Sequence, residues 1–388
     1  MIVELADRLK KLPPYLFVEI DNKKRKLADA GHDIISLGIG DPDLPTPKFI
    51  IDKMAQAIYE PDNHHYPLQW GVGEFRKQVS TWFKHRFDVD FDFKTEVLTL
   101  IGSKEAIGHF PLAVVNPGDV VLVPEPGYPV YNASTLFAGG ESYFMPLLEK
   151  NKFLPDLDAI PADICKRAKM MFINYPNNPT GATADESFFE KVVAFAKKHQ
   201  IVVVHDAAYT EVYFDQRPLS IFNVEGARDV AVEFHSLSKT FNMTGWRIGF
   251  AVGNAELIAA LAKVKENVDS GQFNAIQCAA TEALAHSDRV EVRALLDIYR
   301  ERRDTLVEGL RSAGLDVPMP PATFYVWGHC PQGYDSMTFC GKVLEEAHVV
   351  LIPGVGFGPS GRDYFRAAVT VDVQRIKEAI ERIKKLTW

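Results

Sequence analysis

A lysine in an uncharged segment is the first residue of this sequence that indicates chemistry. Lys239 lies in the stretch SLSKTFNMTGWRIG, and the next charged residue along the chain is Arg247. A lysine on a solvated face usually has acidic neighbours at helical spacing, which are absent here. We interpret Lys239 as a reactive amine, with Ser236, Ser238 and Arg247 holding an anion beside it. A dry pocket and a second cation would lower the pKa of such an amine. An isolated SxSK motif is more often part of a surface loop. The choice between a reactive amine and a surface lysine therefore depends on the rest of the chain.

A second candidate anion site is the segment GSKEA, where Ser103 and Lys104 follow a predicted strand and open a predicted helix. The amide groups of a helix N-terminus, together with a hydroxyl, suit a phosphate. The segment alone is equally typical of a helix cap, and the P-loop pattern GxxxxGK[ST] is absent.

Asp206 ends the apolar strand IVVVHD, where an unpaired carboxylate would be costly. Alone it would best be interpreted as a cap for the next turn. Beside a pyridine-type cofactor, it would keep the ring nitrogen protonated and make the ring an electron sink. Tyr209 and Asn178 could both hydrogen-bond to a ring hydroxyl, although the NNPTG segment that contains Asn178 also suits an ordinary tight turn.

Four further residues have a chemical and a structural interpretation. Tyr128 in PGYPVY could stack on a flat ring or pack in the core. Arg366 interrupts the apolar run YFRAAVT and needs an anionic partner, which could be a substrate carboxylate or a structural salt bridge. His205 and His235 stand at strand ends without a partner at metal-ligand spacing. We interpret both histidines as structural and predict no metal site.

The elements that must position these residues alternate between β-rich runs and helical stretches. Several runs are apolar throughout, which favours a mainly parallel sheet buried on both faces. Ligands of such α/β sheets bind at the carboxyl ends of the strands, where every candidate polar cluster of this sequence lies. The seven runs are EVLTLI, DVVLVP, SYFMPL, KMMFINYP, IVVVHD, VAVEFHS and RIGFAVG.

The two ends of the chain form other predicted units. Residues 1–30 read as two short amphipathic helices broken at Pro13-Pro14, and a long charged helix begins near Val290. The following runs TFYVWG, HVVLIPG and DYFRAAVT indicate a smaller α+β unit. We predict an N-terminal arm with part of the small domain at 1–45, a large domain at 46–289 and the rest of the small domain at 290–388.

Composition excludes several classes of protein. A hydrophobic content of 47% and a charged content of 24% are typical of a soluble globular enzyme. The net charge is −8 and no long basic run occurs, so nucleic acid is not an expected partner. The four cysteines have no CxxC spacing, which argues against a metal site or a disulfide framework. Without a signal core or an apolar membrane span, we expect a cytoplasmic protein with no membrane partner.

The motifs taken together resemble a known family. GSKEA, PGYPVY, NNPTG, DAAY, SxSK with Arg247, and Arg366 occur in an order that matches the class I/II aminotransferases, the fold-type I enzymes that use pyridoxal 5'-phosphate (PLP). The resemblance covers nearly the whole chain. It implies a mainly parallel seven-stranded sheet in a large domain beside a smaller α+β domain. LPPYLF, IISLGIGDPD, IGSKEAI, MFINYPNNPTGA and NMTGWRIG are most similar to the bacterial group that acts on LL-2,6-diaminopimelate.

The resemblance also implies a role for each candidate residue. Lys239 would be the catalytic lysine that forms a Schiff base with PLP. The other cofactor-binding positions are Tyr66, Ser103, Lys104, Tyr128, Asn178, Asp206, Tyr209, Ser236, Ser238 and Arg247. Of these, Tyr66 would reach the phosphate from a partner subunit, which implies a homodimer with shared active sites. The substrate-binding positions are Tyr15, Gly40, Lys104, Tyr128, Asn178, Asn274 and Arg366.

The reaction implied is a ping-pong transfer of an amino group between LL-2,6-diaminopimelate and 2-oxoglutarate, which in lysine biosynthesis forms LL-diaminopimelate from tetrahydrodipicolinate. A general aminotransferase for alanine, aspartate, glutamate or aromatic amino acids would share every cofactor residue, and the distal pocket decides between them. A PLP-dependent C–S lyase is a further alternative. A PLP-binding regulator is less favoured, because residues 1–30 are too short for a helix-turn-helix domain.

Overall fold

The computed structural model describes residues 3–12, 16–67 and 70–388, apart from the side chains of residues 16–19. Its α-helices are α1 (Asp7–Lys10), α2 (Leu16–Asp29), α3 (Lys48–Ala57), α4 (Gly73–Phe87), α5 (Ser103–Val114), α6 (Val130–Phe137), α7 (Ala162–Arg167), α8 (Glu186–His199), α9 (Leu237–Thr240), α10 (Ala255–Val268), α11 (Asn274–Ala285), α12 (Val290–Ser312), α13 (Ser336–Ala347) and α14 (Val373–Ile383). Its strands are β1 (Ile35–Ser36), β2 (Val97–Leu100), β3 (Val120–Glu125), β4 (Glu141–Pro146), β5 (Ala168–Asn174), β6 (Val202–Asp206), β7 (Ala231–Ser236), β8 (Gly249–Gly253), β9 (Tyr325–His329), β10 (Val349–Val350), β11 (Ile352–Pro353) and β12 (Tyr364–Ala368).

Seven strands form the main sheet in the order β2-β8-β7-β6-β5-β3-β4. Strands β3 to β7 pair in parallel, whereas β8 is antiparallel to both of its neighbours, β7 and β2. The prediction of a mainly parallel seven-stranded α/β sheet is confirmed. The reversed strand β8 is a feature that the apolar pattern of RIGFAVG did not indicate.

Both faces of the main sheet are buried, which explains why its central strands are apolar without alternation. Successive side chains of a strand point to opposite faces. Val203 accordingly packs in one hydrophobic cluster with Phe83 and Phe250, while Val204 packs in another with Phe172 and Phe234. The two faces of the sheet therefore have separate cores, and polar residues at neighbouring positions of one strand face different surroundings.

The strand order gathers the predicted polar residues at one edge of the sheet. Because β8 runs antiparallel, its first residue, Gly249, pairs with the last residues of β2 and β7, Leu100 and Ser236. A Cβ atom at Gly249 would collide with the carbonyl oxygen of His235 and would lie 3.2 Å from the amide nitrogen of Ser103. Glycine at this position therefore permits the close approach of the α5 N-terminus and the end of β7.

Two smaller sheets come from the ends of the chain. β1 pairs in parallel with β10, and β11, β12 and β9 form an antiparallel sheet. Arg366 lies in the middle strand, β12, opposite Ile352 and Trp327. The predicted break at Pro13-Pro14 lies outside the described residues, and the predicted domain boundaries stay a prediction. Within the described part of the chain, every helix is too short or too polar to cross a bilayer.

Candidate active site

A cavity of about 660 Å³ opens at the carboxyl ends of the main-sheet strands. It brings together twelve of the residues selected from the sequence, which come from seven separate segments of the chain. These residues are Gly40, Ser103, Lys104, Tyr128, Asn178, Asp206, Tyr209, Ser236, Ser238, Lys239, Arg247 and Arg366. For the residues that end or follow a strand, such as Ser103, Asp206 and Ser236, this convergence was predicted from their position.

Lys239 projects into this cavity from the short helix α9, which directly follows β7. Its Nζ donates a hydrogen bond of 3.0 Å to the carbonyl oxygen of Gly40. Burial lowers the pKa of the Lys239 amine below its ordinary value of 10.5, and the positive charges of Arg247 and Arg366 act in the same direction. The site therefore favours the neutral, nucleophilic form of this amine.

Asp206 is a buried carboxylate at the end of β6. Its Oδ2 accepts a hydrogen bond of 2.7 Å from the hydroxyl of Tyr131, and its Oδ1 accepts a long one of 3.3 Å from the amide of Ala208. Burial raises the pKa of the Asp206 carboxyl above 3.8, because these contacts compensate its desolvation only in part. Among the described residues, the donors to this carboxylate are a phenol and an amide, and neither is cationic.

One end of the cavity is rich in donors for an anion. Ser103 lies in the first turn of α5, and Ser236 and Ser238 come from the junction of β7 with α9. The Arg247 guanidinium lies against this group, with Nη1 at 3.5 Å from Ser238 Oγ and at 2.8 Å from the carbonyl oxygen of Thr244. Hydroxyls, free helix amides and a guanidinium together form a site for a phosphate.

Backbone constraints hold Arg247 in that position. Its φ of 56° lies in the left-handed region, which a residue with a side chain adopts only when its surroundings require it. The side-chain amide of Gln272 donates hydrogen bonds to the carbonyl oxygens of both Trp246 and Arg247. A Cβ atom at Gly102 would overlap the guanidinium, so the glycine leaves room for it.

Arg366 reaches the opposite side of the cavity from β12 and is only 4% exposed. Its Nη1 donates to Asn178 Oδ1 and its Nη2 to the carbonyl oxygen of Gly38, both at 2.8 Å. The guanidinium lies against two aromatic rings, 4.1 Å from the centroid of Tyr325 and 4.7 Å from that of Phe357. These contacts fix the planar guanidinium in a geometry that suits a carboxylate.

Three predicted site residues do not line the cavity in the described chain. Tyr66 is 88% exposed and lies beside Lys265 and Gly271 instead. Asn274 begins α11, and its Oδ1 is buried without a hydrogen-bond partner among the described residues. Tyr15 lies outside the described residues.

The structure adds cavity residues that the sequence did not indicate. Tyr131 holds Asp206, and Asn174 donates through Nδ2 to the carbonyl oxygen of Asp206 at 2.7 Å. The hydroxyl of Tyr325 lies 2.8 Å from that of Tyr209. Tyr131 and Asn174 belong to the motifs PGYPVY and NYPNNPTG and could have been selected with them, whereas Tyr325 resembles an ordinary strand residue.

The family model for aminotransferase class I and II matches residues 32–383 of the chain. The chain belongs to this aminotransferase family. This aminotransferase is 58% identical over 384 residues to the LL-diaminopimelate aminotransferase of Syntrophobacter fumaroxidans, with 99% of each chain covered. It is 55% identical to the LL-diaminopimelate aminotransferase of Aquifex aeolicus, again with 99% of each chain covered. The apo structure of BacF from Bacillus subtilis superposes on it with a TM-score of 0.96 at 38% identity, covering 100% of this chain and 99% of that one.

The comparisons confirm the predicted family and fold of this aminotransferase. The matches also extend over nearly the whole chain, as the sequence motifs predicted.

Proposed function

We propose that this aminotransferase transfers an amino group between LL-2,6-diaminopimelate and 2-oxoglutarate, with pyridoxal 5'-phosphate as cofactor. The observation that carries the proposal is the placement of Lys239, Asp206 and Arg366 in one cavity. An amine with a lowered pKa, an incompletely compensated carboxylate and a buried guanidinium are the three groups that transamination of an amino acid needs. Relatives named LL-diaminopimelate aminotransferase, at up to 58% identity, support the choice of substrate.

The donor set of the cavity fits PLP at both of its ends. Ser103, Ser236, Ser238 and Arg247 would hold the phosphate, and Lys104 would contribute from the first turn of α5. Asp206 would accept a hydrogen bond from the protonated ring nitrogen and thereby gain the cationic donor that its surroundings lack. When bound, PLP supplies an aldehyde that captures amines and a ring that accepts electrons.

Three other side chains would orient the flat ring. Tyr128, half-buried at the start of α6, would stack on it. Tyr209 and Asn178 would contact the ring oxygen. The 2.8 Å contact between the hydroxyls of Tyr209 and Tyr325 fixes the Tyr209 ring for this purpose.

Lys239 would carry the aldehyde of the cofactor until substrate arrives, and would then move the proton of the substrate Cα as general base and acid. Its lowered pKa makes the neutral form of the amine, which accepts that proton, easier to reach. The carbonyl oxygen of Gly40, 3.0 Å from Nζ, provides a position for the amine to occupy when it is not bonded to the cofactor.

Arg366 would bind the α-carboxylate of the substrate, with Asn178 and Gly40 beside it. The guanidinium is held by two aromatic rings and two hydrogen bonds, so little conformational entropy is lost on binding. Lys104 is exposed and lines the cavity, and it would meet the second carboxylate of the substrate. Tyr15 and Asn274 remain predictions for the same end of the substrate.

A homodimer belongs to the proposal, because Tyr66 lies outside the cavity of its own chain and is largely exposed. In a dimer, its hydroxyl would reach the phosphate in the partner's cavity. Tyr59 and Ile58, on the same stretch of chain, are 85% and 42% exposed and would be covered by the same contact. A cytoplasmic location stays a prediction from the sequence.

The experiment that tests the substrate is a transamination panel with LL-diaminopimelate, meso-diaminopimelate, aspartate, alanine and an aromatic amino acid, each with 2-oxoglutarate. We expect the highest kcat/KM with LL-diaminopimelate. Preference for another amino acid would contradict the substrate and leave the aminotransferase assignment standing. A protein that takes up no PLP would contradict the cofactor.

A further inference from the structure

A second buried carboxylate lies on the face of the sheet that is opposite the cavity. Glu233 in β7 is fully buried, and its Oε2 lies 2.9 Å from Nδ1 of His205, its register partner in β6. Its Oε1 lies 2.6 Å from Nε2 of His235. The rings of Phe83 and Phe250 pack on His235, with centroids at 5.3 Å and 4.8 Å. Ionisable groups in such apolar surroundings need a specific reason to be present.

The hydrogen bonds of His205 determine how many protons its ring carries. Nε2 lies 2.9 Å from the carbonyl oxygen of Tyr175, which has no proton to give, so Nε2 must donate. Nδ1 faces Glu233 Oε2, which already accepts from the amide of Ile221 at 3.1 Å and from the hydroxyl of Ser220 at 2.9 Å. Because Glu233 Oε2 accepts both of these hydrogen bonds, we take it to be an ionised oxygen that accepts from His205 as well. Nδ1 of His205 therefore also donates. A ring with two N–H groups is an imidazolium.

Glu233 fits the role of its counter-ion. Burial alone would raise the pKa of this carboxyl, but the hydrogen bonds from His205 and His235 outweigh burial and hold the pKa well below its ordinary value of 4.5. The pair is therefore charged inside the protein, and the donors around Glu233 satisfy both of its oxygens.

The ion pair lies directly behind the candidate active site. His205 immediately precedes Asp206, and the two side chains point to opposite faces of β6. The carbonyl oxygen that His205 binds belongs to Tyr175, which directly follows β5 and begins the segment that contains Asn178. On the cavity side, Asn174 links the same two strand ends through its bond to the carbonyl oxygen of Asp206.

We propose that His205 is a positioning residue of this site: an imidazolium, paired with Glu233, that aligns the ends of β5 and β6 and favours the ionised form of Asp206. The catalytic part of this proposal rests on the proposed function, whereas the protonation of His205 rests on its hydrogen bonds alone. The positive charge on His205 opposes the effect of burial on the Asp206 carboxyl. It thus helps a deeply buried acid to remain an anion that can pair with a protonated ring.

The first test measures the ring protons in the wild-type protein without cofactor. The ¹⁵N chemical shifts of labelled histidine separate a ring N–H from a bare ring nitrogen. We expect two N–H nitrogens for His205 at neutral pH, identified by the signals that His205→Gln removes. The His85→Gln variant, which changes a ring that is 71% exposed, should leave those signals in place. One bare nitrogen on His205 would overturn the proposal. If His205→Gln does not fold, the His205 signals are assigned from Glu233→Gln instead, because in that variant the His205 ring should lose one of its two N–H protons.

The second test separates electrostatic positioning from a purely structural role. In the folded holoenzyme, His205→Gln and Glu233→Gln should each lower kcat by about 10-fold, equivalent to about 1.4 kcal/mol, with KM little changed. The double variant should be no slower than either single variant, because both changes remove the same ion pair. Additive losses, or an unchanged kcat in folded single variants, would contradict the proposal. A protein inactive with every amino acid would refute the proposed function, and the ¹⁵N result would still decide the protonation.

Discussion

Asp206 and Glu233 are two buried carboxylates on neighbouring strands of one sheet, and they face opposite sides of it. Burial raises the pKa of each carboxyl, but the outcomes differ in direction. Glu233 receives hydrogen bonds from two imidazoles, a hydroxyl and an amide, and its pKa falls below the ordinary value. Asp206 receives one from a neutral phenol and a long one from an amide, and its pKa stays raised.

The opposite pKa shifts distinguish a carboxylate with a structural role, Glu233, from a carboxylate that is available to a ligand, Asp206. Glu233 is compensated within the chain, so nothing further is needed to keep it ionised. Asp206 faces a cavity, and no cationic side chain in the described part of the chain donates a hydrogen bond to it there. A bound group with a protonated ring nitrogen would therefore complete its hydrogen bonding. Both side chains are nearly inaccessible to solvent, so burial does not explain why their pKa values shift in opposite directions. The difference comes from the groups that donate hydrogen bonds to them.

The largest expected effect tests whether chemistry occurs on the Asp206 face at all. Lys239→Ala should lower turnover by about 10⁴-fold, because the proton transfer at the substrate Cα loses its general base. Lys239→Arg serves as the control with retained charge, and it should also be inactive, because a guanidinium does not give up its proton. Steady-state transamination measures both. Substantial turnover by either variant would place the reaction elsewhere.

Removing the compensated charge should act on stability. Glu233→Gln should lower the free energy of unfolding by about 1–3 kcal/mol, because it removes the buried ion pair and a neutral amide cannot accept every hydrogen bond that the carboxylate receives. Chemical denaturation of the cofactor-free protein measures the change. A variant as stable as the wild type would mean that the Glu233 face carries no buried ion pair.

The matched change on the cavity side should act on catalysis. Asp206→Asn should lower kcat by about 10²–10³-fold, because a neutral amide does not stabilise a protonated ring nitrogen. The free energy of unfolding of the cofactor-free variant should be equal to that of the wild type or higher, since burial disfavours the charge that it removes. If Asp206→Asn lost stability and kept its activity, the contrast between the two carboxylates would be reversed.

The opposite pKa shifts predict opposite dependences of stability on pH. Asp206 binds its proton more tightly when folded, so its contribution falls as pH rises from 3.8 through the raised pKa. Glu233 binds its proton less tightly when folded, so its contribution is present above 4.5 and is lost as pH falls below that value. The difference in free energy of unfolding between the wild type and each variant is measured by denaturation at several pH values. It should change with pH in opposite directions for Asp206→Asn and Glu233→Gln, by at most about 1.4 kcal/mol per pH unit. Parallel slopes would contradict the assignment.

The smallest expected effect concerns the donor to Asp206. Tyr131→Phe removes the 2.7 Å hydrogen bond and should raise the pKa of the Asp206 carboxyl further. We expect a loss of about 3- to 10-fold in kcat, in line with about 1 kcal/mol for one hydrogen bond. Ser134→Ala, on the same helix and away from the cavity, is the control. Equal kcat for both variants would show that Tyr131 does not support the carboxylate.

Much of the fold was predictable because each central strand is an apolar run bounded by proline, glycine or polar residues. The cavity followed from the rule that ligands bind at the carboxyl ends of such strands, and Asp206 and Ser236 both end one. The reversed direction of β8 was not predictable, because an apolar run has no direction. Its reversal is what brings Arg247 back to Ser238.

The compensation of Glu233 was also beyond the sequence. His205 lies 28 positions away from it, on the adjacent strand, and only the register of β6 and β7 makes the two side chains partners. In the same way, nothing in the sequence indicated that the hydroxyl of Tyr131 contacts Asp206 or that the hydroxyl of Tyr325 contacts that of Tyr209. Pairings between distant strands and helices depend on tertiary packing, which periodicity does not report.

The most direct test of the central claim is to locate the attachment of the cofactor. The holoenzyme is reduced with borohydride, which makes a lysine-bound aldehyde cofactor permanent, and is digested and analysed by mass spectrometry. We expect the pyridoxyl group on Lys239, on the side of the sheet that Asp206 faces. Label on another lysine such as Lys104, with Lys239 unmodified, would contradict it.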